Sequence, residues 1–326
     1  MFFLILHLSS ALALPTLPFS CYPFFMRALW PEPKSIRVIA PAGPVDPGDL
    51  DAGLAVLRGR GFEVSEGKHL RDSEGYLAGS DEARQADLQA ALDDPSVDTI
   101  WFGRGGYGTQ RLLPALRVPP PGPRKLLAGF SDATALFSWA MRHGGFDLIY
   151  APSVQELARP GVCHLDALWS ALRGEPECIP AHGPAEPIGP SEVVGGCLSL
   201  LVTTCGTPWR PRAQGRFLFL EDVGERMYRL DRMLTHLSQA GWFENLAGVL
   251  LGSFTGMGPG EGPETVAARV RQLATSETPV IQGLPVGHCL GKMPLPLGVP
   301  VLWEDGAIRF PDHFSARGVP VPLGAP

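Results

Sequence analysis

Lys125-Leu126-Leu127-Ala128-Gly129-Phe130-Ser131-Asp132-Ala133-Thr134-Ala135-Leu136-Phe137 holds a short apolar run, a glycine and then an amphipathic segment. That order reads as strand, tight turn, helix. It puts Ser131 at the turn, where a hydroxyl can project past a strand end over the unpaired N–H groups of a helix N-terminus. A serine so placed is a candidate nucleophile, because the site that presents it can also hold an oxyanion. The same position also suits a plainer role, since Ser131 or Asp132 can N-cap the helix, the commonest use of such residues. From this stretch by itself both readings stand.

Upstream, Ser35-Ile36-Arg37-Val38-Ile39-Ala40 is a β-rich run ended by Pro41-Ala42-Gly43-Pro44. Leu50, Leu54 and Leu57 follow at helical spacing, and Gly61-Phe62-Glu63-Val64 reads as a second strand. Ser80 before Asp81-Glu82 starts a helix with Leu88, Ala91 and Leu92 on its apolar face. Val97 to Phe102 is a further strand, running into Gly103-Arg104-Gly105-Gly106-Tyr107-Gly108. Strands alternating with helices predict an α/β fold with a parallel sheet covered on both faces. Sites in such folds lie at the carboxyl ends of the strands, where both the glycine loop and Ser131 fall.

The chain of 326 residues has room for two domains. The predicted division is an N-terminal extension over 1–30, an α/β domain over 31–160, a linker over 161–190 and a second α/β domain over 191–326. The linker rests on a Pro-, Gly- and charge-rich stretch without sustained periodicity. Beyond it, Gly195-Gly196 opens an apolar stretch, and Phe217 to Leu220 is a buried-type strand ending at Glu221-Asp222. Tyr228 to Ala240 is a helix with Leu230, Met233, Leu234 and Leu237 inward; Val249-Leu250-Leu251 and Pro279-Val280-Ile281 are short strands. Gly287-His288 follows in a Gly/Pro-rich loop.

A formal net charge of -6 with no basic run argues against a nucleic-acid partner. The six cysteines show no metal-ligand spacing and read as reduced thiols. Phe2 to Leu14 looks like a signal-peptide apolar region, with Ala11-Leu12-Ala13 as a cleavage site. It lacks a positively charged leader, and prolines at 15, 18 and 23 cut it short of a membrane span. Met26 is the favoured start, which predicts a cytoplasmic protein without membrane attachment; a real signal over residues 1–25 would make it exported.

Gly103 to Gly108 is not G-x-G-x-x-G and lacks the Lys-Ser/Thr of a phosphate loop. It reads either as a tight turn or as a place where backbone N–H groups approach a ligand. Glu221 at a strand mouth can orient a histidine, or be half of a solvated acidic pair. His288 is equally open to a structural role. Ser131 is not in a G-x-S-x-G elbow, since Ala133 stands at the second glycine.

Taken together, the segments resemble the LD-carboxypeptidase family of serine peptidases. The matching stretches begin with Ile39-Ala40-Pro41-Ala42-Gly43, Tyr76-Leu77-Ala78-Gly79-Ser80-Asp81, Arg104-Gly105-Gly106-Tyr107-Gly108 and Gly129-Phe130-Ser131-Asp132-Ala133-Thr134-Ala135-Leu136. Gly206-Thr207-Pro208, Phe219-Leu220-Glu221-Asp222, Tyr228 to Leu234, and Gly287-His288 ahead of Leu295-Pro296-Leu297-Gly298 follow in the family's order. The resemblance implies a flavodoxin-like first domain, a smaller α/β second domain and a homodimer. It implies Ser131 as nucleophile, His288 as general base and Glu221 as the orienting carboxylate, with Gly106 and Asp132 N–H groups as the oxyanion hole. It implies no metal and no cofactor. Its usual substrate is the cytoplasmic murein tetrapeptide, which loses a terminal D-Ala in cell-wall recycling. Arg104, Arg229 and Arg232 are candidates for the substrate carboxylate.

Cys197 and Lys292 stand where relatives commonly carry Asn, which puts a polar substrate contact at Cys197 in doubt. A sister branch resembles the microcin C immunity peptidases, whose extra aromatic loop has little room between Gly206 and Phe217. A reading from another class is a non-catalytic muropeptide-binding protein.

Overall fold

The computed structural model describes residues 28–311. The signal-like stretch and the start at Met26 lie outside the described residues. In β1 (Ser35–Ile39) Ile36 and Val38 are buried, and Pro41 follows where the ladder ends. α1 (Pro47–Gly59) is capped by Asp46, whose side chain accepts from Asp49 N–H at 3.0 Å. β2 (Glu63–Glu66), α2 (Asp81–Asp93), β3 (Thr99–Phe102), α3 (Thr109–Leu112), β4 (Lys125–Gly129), α4 (Ala133–His143) and β5 (Phe146–Tyr150) continue the alternation. Ser80 caps α2 as the sequence predicts. α5 (Leu165–Leu172), β6 (Ile179–Pro180), β7 (Ile188–Cys197), α6 (Leu198–Thr203), β8 (Phe217–Val223) and α7 (Met227–Gln239) follow. The described chain closes with β9 (Gly248–Thr255), α8 (Pro263–Leu273), β10 (Val280–Gln282), β11 (Leu295–Leu297), β12 (Pro300–Glu304) and β13 (Ala307–Arg309).

The first sheet runs β2-β1-β3-β4-β5-β11, parallel throughout except for β11. Its first five positions have the doubly wound order whose ligands sit where the winding reverses, between β1 and β3. There Gly43 N–H donates to Gly105 O at 3.1 Å, joining the two loops that leave these strands. The second sheet runs β10-β9-β8-β7-β12-β13-β6, with β10 to β7 parallel.

Alternation along the strands builds three apolar layers. Ile36, Val38, Trp101 and Ala128 face α1 and α5. Ile100, Phe102 and Leu127 face the other way, into a layer shared with Phe217, Phe219 and Leu250 of the second sheet. Leu218, Leu220, Val249 and Leu251 face α7 and α8. The helix that follows Ser131, α4, lies in the shared layer, which is why Ala133 to Ala140 are all buried.

The differences from the sequence reading have physical causes. The stretch expected to be a linker contains α5, whose Leu168, Trp169 and Leu172 are buried against the α1 face; eight residues between glycines and prolines are too few to show a period. Gly195-Gly196, which the apolar stretch of α6 follows, lies within the last residues of β7, where a Cβ at Gly195 would lie 2.0 Å from Phe219 O and one at Gly196 2.4 Å from Thr134 Oγ1. β11, far along the chain, pairs with β5 (Leu295 with Tyr150, Leu297 with Leu148) and so completes the first sheet. No described helix is long and apolar enough to cross a membrane.

Candidate active site

Ser131 sits at the turn between β4 and α4 with φ 58°, a left-handed conformation that costs a non-glycine residue about 1–3 kcal/mol. Strain of this kind persists where surrounding packing fixes it. Space is tight at Gly129: a Cβ there would lie 3.0 Å from Ala133 Cβ and 3.1 Å from the Phe102 ring. A methyl at Ala133 therefore fits opposite a bare Gly129, which explains an elbow without its second glycine. Neither Ser131 nor Asp132 supplies the helix-capping side chain that the sequence alone allows. Asp132 occupies the cap position, but its buried carboxylate accepts instead from Thr109 N–H at 2.8 Å. Burial pushes its pKa up.

The glycine loop closes on Ser131. A Cβ at Gly105 would lie 3.1 Å from Ser131 Cβ and 3.3 Å from its Oγ. Among the described residues, neither Gly106 N–H nor Asp132 N–H donates to a protein acceptor. Arg84, 1% exposed, backs the loop at Gly108, where a Cβ would lie 2.6 Å from its Nη1, and donates to Pro41 O and Gly79 O of neighbouring segments.

Glu221 ends the apolar run of β8, where the register against β9 shifts between Leu220 and Asp222. Alternation puts the two carboxylates on opposite faces of a sheet covered on both sides, so both are buried: Glu221 is 0% exposed and Asp222 is 3% exposed. Asp222 accepts from Ser199 N–H and Val223 N–H, each at 2.8 Å, and burial pushes its carboxyl up to about 6. Glu221 points the other way, to His288. His288 Nδ1 lies 2.8 Å from Glu221 Oε2, and the His288 N–H donates to the same oxygen at 3.0 Å. A carboxylate only accepts, so it fixes the Nδ1–H tautomer and leaves Nε2 as the basic nitrogen.

Tyr150, at the end of β5 and 1% exposed, is a member of the site that the sequence does not mark out. Its hydroxyl donates to Glu221 Oε1 at 2.6 Å and accepts from Ser131 N–H at 3.0 Å. Burial, and then the charge of Glu221, holds this phenol well above its usual range, so it stays a donor. Ser131, Tyr150, Glu221 and His288 thus form one chain of contacts across both sheets. The imidazole also packs on Phe130, the residue before Ser131, with ring centroids 4.8 Å apart. The signal that could have found Tyr150 is its place at a strand's carboxyl end beside Gly129. Tyr150→Phe is expected to lower stability by about 1–3 kcal/mol, since it leaves the Ser131 N–H and a buried Glu221 oxygen without a partner. Chemical denaturation of the two proteins checks this.

Gly287 precedes the histidine at φ 106°, and a Cβ there would lie 2.2 Å from Glu221 Oε2. Gly287→Ala must displace that carboxylate. The expected result is a loss of about 100-fold in hydrolytic rate, the scale on which a displacement of 1 Å acts. Steady-state kinetics of the folded variant checks it.

The three candidate arginines lie elsewhere in their contacts. Arg104 donates to Pro44 O at 2.6 Å, Arg229 pairs with Glu225 at 2.6 Å, and Arg232 rests over the Tyr228 ring. Among the described residues, none of them bonds to Ser131, Glu221 or His288. Cys197 is buried, with its thiol pushed up by burial and by Glu221, and its N–H donates to Thr134 Oγ1 at 3.0 Å. Lys292 turns to Glu156 at 2.8 Å. Among the described residues, no group of three or more His, Cys, Asp or Glu side chains could hold a metal ion.

Residues 36–151 match the N-terminal domain of the LD-carboxypeptidases and residues 190–302 their C-terminal domain. A Streptomyces coelicolor protein named as a carboxypeptidase is 40% identical over 283 residues, covering 81% of this chain and 88% of its own. The chain belongs to the LD-carboxypeptidase family. As a member of it, the protein is a hydrolase of the serine-carboxypeptidase type. The crystal structure of a muramoyltetrapeptide carboxypeptidase from Oxalobacter formigenes, 28% identical, superposes with a TM-score of 0.74 over 84% of this chain and 97% of that one. The microcin C7 self-immunity protein MccF, at 20% identity, gives a TM-score of 0.74 over 86% and 97% and shares the fold. The doubly wound sheet and the second sheet are thus the two-domain architecture of this LD-carboxypeptidase family.

Proposed function

We propose that the protein hydrolyses the amide between an L-centre and a terminal D-amino acid, releasing D-Ala from murein tetrapeptide in cell-wall recycling. The observation that carries this reading is the buried Glu221: it holds His288 Nδ1 at 2.8 Å and is tied through Tyr150 to the backbone of Ser131. A general base oriented by a buried acid and packed on the residue before a strained serine is the arrangement acyl transfer needs.

In this reading His288 Nε2 takes the Ser131 proton as Oγ attacks the amide carbonyl. The oxyanion is received by Gly106 N–H and Asp132 N–H, the donors left without protein partners. Removing one such donor costs about 2.7–4 kcal/mol of transition-state stabilisation in related chemistry. The imidazolium, stabilised by Glu221, returns its proton to the departing amine of the D-amino acid. Water, activated by the same histidine, then frees Ser131 from the acyl-enzyme.

The test is D-Ala release from L-Ala-D-Glu-meso-diaminopimelate-D-Ala, run beside a peptidyl-nucleotide amide of the microcin type. D-Ala release with little cleavage of the nucleotide substrate is the expected result. Cleavage of the nucleotide amide alone would move the protein to the immunity branch, and no hydrolysis of either would leave a binding protein.

A further inference from the structure

Lys292 is 4% exposed, yet it carries an ammonium. Its Nζ lies 2.8 Å from Glu156 Oε1 and 4.2 Å from the centre of the Phe130 ring. The other Glu156 oxygen accepts from Ser153 N–H and from Ser153 Oγ, each at 2.9 Å, so the carboxylate is fixed before the lysine arrives. Backbone bonds flank the ion pair: Gly291 N–H to Gly161 O at 2.8 Å, Lys292 N–H to Val162 O at 3.0 Å, and His164 N–H to Lys292 O at 3.1 Å.

The loop that carries His288 is therefore held at two places. At His288 it is tied to the second sheet, by the N–H bond to Glu221 and by Thr255 Oγ1 donating to His288 O at 2.7 Å. At Lys292 it is tied to the segment that follows β5 of the first sheet. The imidazole and the ammonium both rest on Phe130, next to Ser131. Beside them Cys163 is pushed up to about 11 by burial, so it stays a neutral thiol and adds no competing charge.

We propose that Lys292 is a positioning residue for the base: clamped on Glu156 and seated on Phe130, it sets where the 287–293 loop holds His288 relative to Ser131. A buried ion pair adds little net stability compared with an apolar pair of the same shape. What it does is make every undocked position of the loop costly, because a buried charge without its partner is strongly disfavoured. An alternative loop position would strand Glu156 inside the protein. The clamp thus selects one geometry, and the reaction depends on geometry at the scale of 1 Å.

The inference rests on the hydrolase reading above, and the test separates the two. The variants are Lys292→Met, which keeps the apolar stem, Lys292→Arg, Glu156→Gln, and the double variant Lys292→Met/Glu156→Gln. The readouts are kcat and KM for D-Ala release and the rate of Ser131 labelling by a fluorophosphonate, which needs the base but no peptide substrate. For Lys292→Met the expected result is a fall of about tenfold to 100-fold in kcat, the range that misplacement produces, with KM changed less than about twofold. The labelling rate should fall in parallel, and Lys292→Arg should recover most of both. The double variant should lose no more than Lys292→Met, since both changes break one interaction.

Wild-type labelling that Lys292→Met matches would overturn the proposal alone, as would a change confined to KM, which would mark a substrate contact. Should Lys292→Met fail to fold, Glu156→Gln decides: unchanged labelling in that variant overturns the clamp. Absence of Ser131 labelling in the wild type would remove the hydrolase reading and this proposal with it.

Discussion

Replacing Ser131 with alanine is expected to abolish fluorophosphonate labelling and to lower kcat for D-Ala release by about 10⁶-fold. The magnitude follows from what the serine would do. It supplies the bond that divides one difficult hydrolysis into two easier steps, and the neighbouring Tyr150 hydroxyl is already engaged with Glu221. The oxyanion donors and the binding surface would remain, so a residual acceleration of about 10³–10⁴ over water should survive. Alanine keeps the side chain small at φ 58°, so the melting temperature should move little. A variant within tenfold of wild type would remove Ser131 from the chemistry.

Glu221→Gln comes next, with an expected loss of about 10⁴-fold in kcat, as for the equivalent change in a serine-protease triad. Glu221 accepts from three donors: the Tyr150 hydroxyl, the His288 N–H and His288 Nδ1–H. A glutamine offers one oxygen and one NH2. With the NH2 toward His288, Nδ1 must become an acceptor, the proton moves to Nε2, and the nitrogen meant to take the serine proton already carries one. With the NH2 toward Tyr150, the phenol loses its carboxylate acceptor. In both orientations the negative charge that stabilises the imidazolium is gone. Steady-state kinetics on the folded variant decides, and a loss under tenfold would show that Glu221 only holds the fold.

Much of the first sheet was legible because parallel strands buried on both faces read as apolar runs, and Ser80 marks a helix start by known capping chemistry. β11 was not legible. Leu295-Pro296-Leu297 is short, contains proline and lies beside its partner only in space, so no local pattern announces it. The site divides the same way. Ser131 and Glu221 could be picked out as chemical types at strand ends and His288 as one in a Gly/Pro-rich loop, and the family likeness ordered them. Tyr150 is the last residue of a core strand with no motif around it, and its hydroxyl gains meaning only from the distances to Ser131 and Glu221. Lys292 stood out as a departure from the family's usual Asn, but its partner Glu156 lies far back in the chain. Nor can periodicity show the positive φ at Ser131, because a hydrophobic pattern reports which face is buried and not the backbone conformation of a turn.

The strand pair β5–β11 also bears on how the molecule is made. During synthesis the first five strands emerge long before Leu295 does, and until then β5 is an open edge able to pair with another chain. The segment that closes this edge follows directly on the loop that carries His288. The nascent protein therefore gains its protection against aggregation and the proposed base His288 in the same late step. A ribosome that stalls in the second half would leave a sheet with a bare edge and a Ser131 without the histidine proposed to activate it.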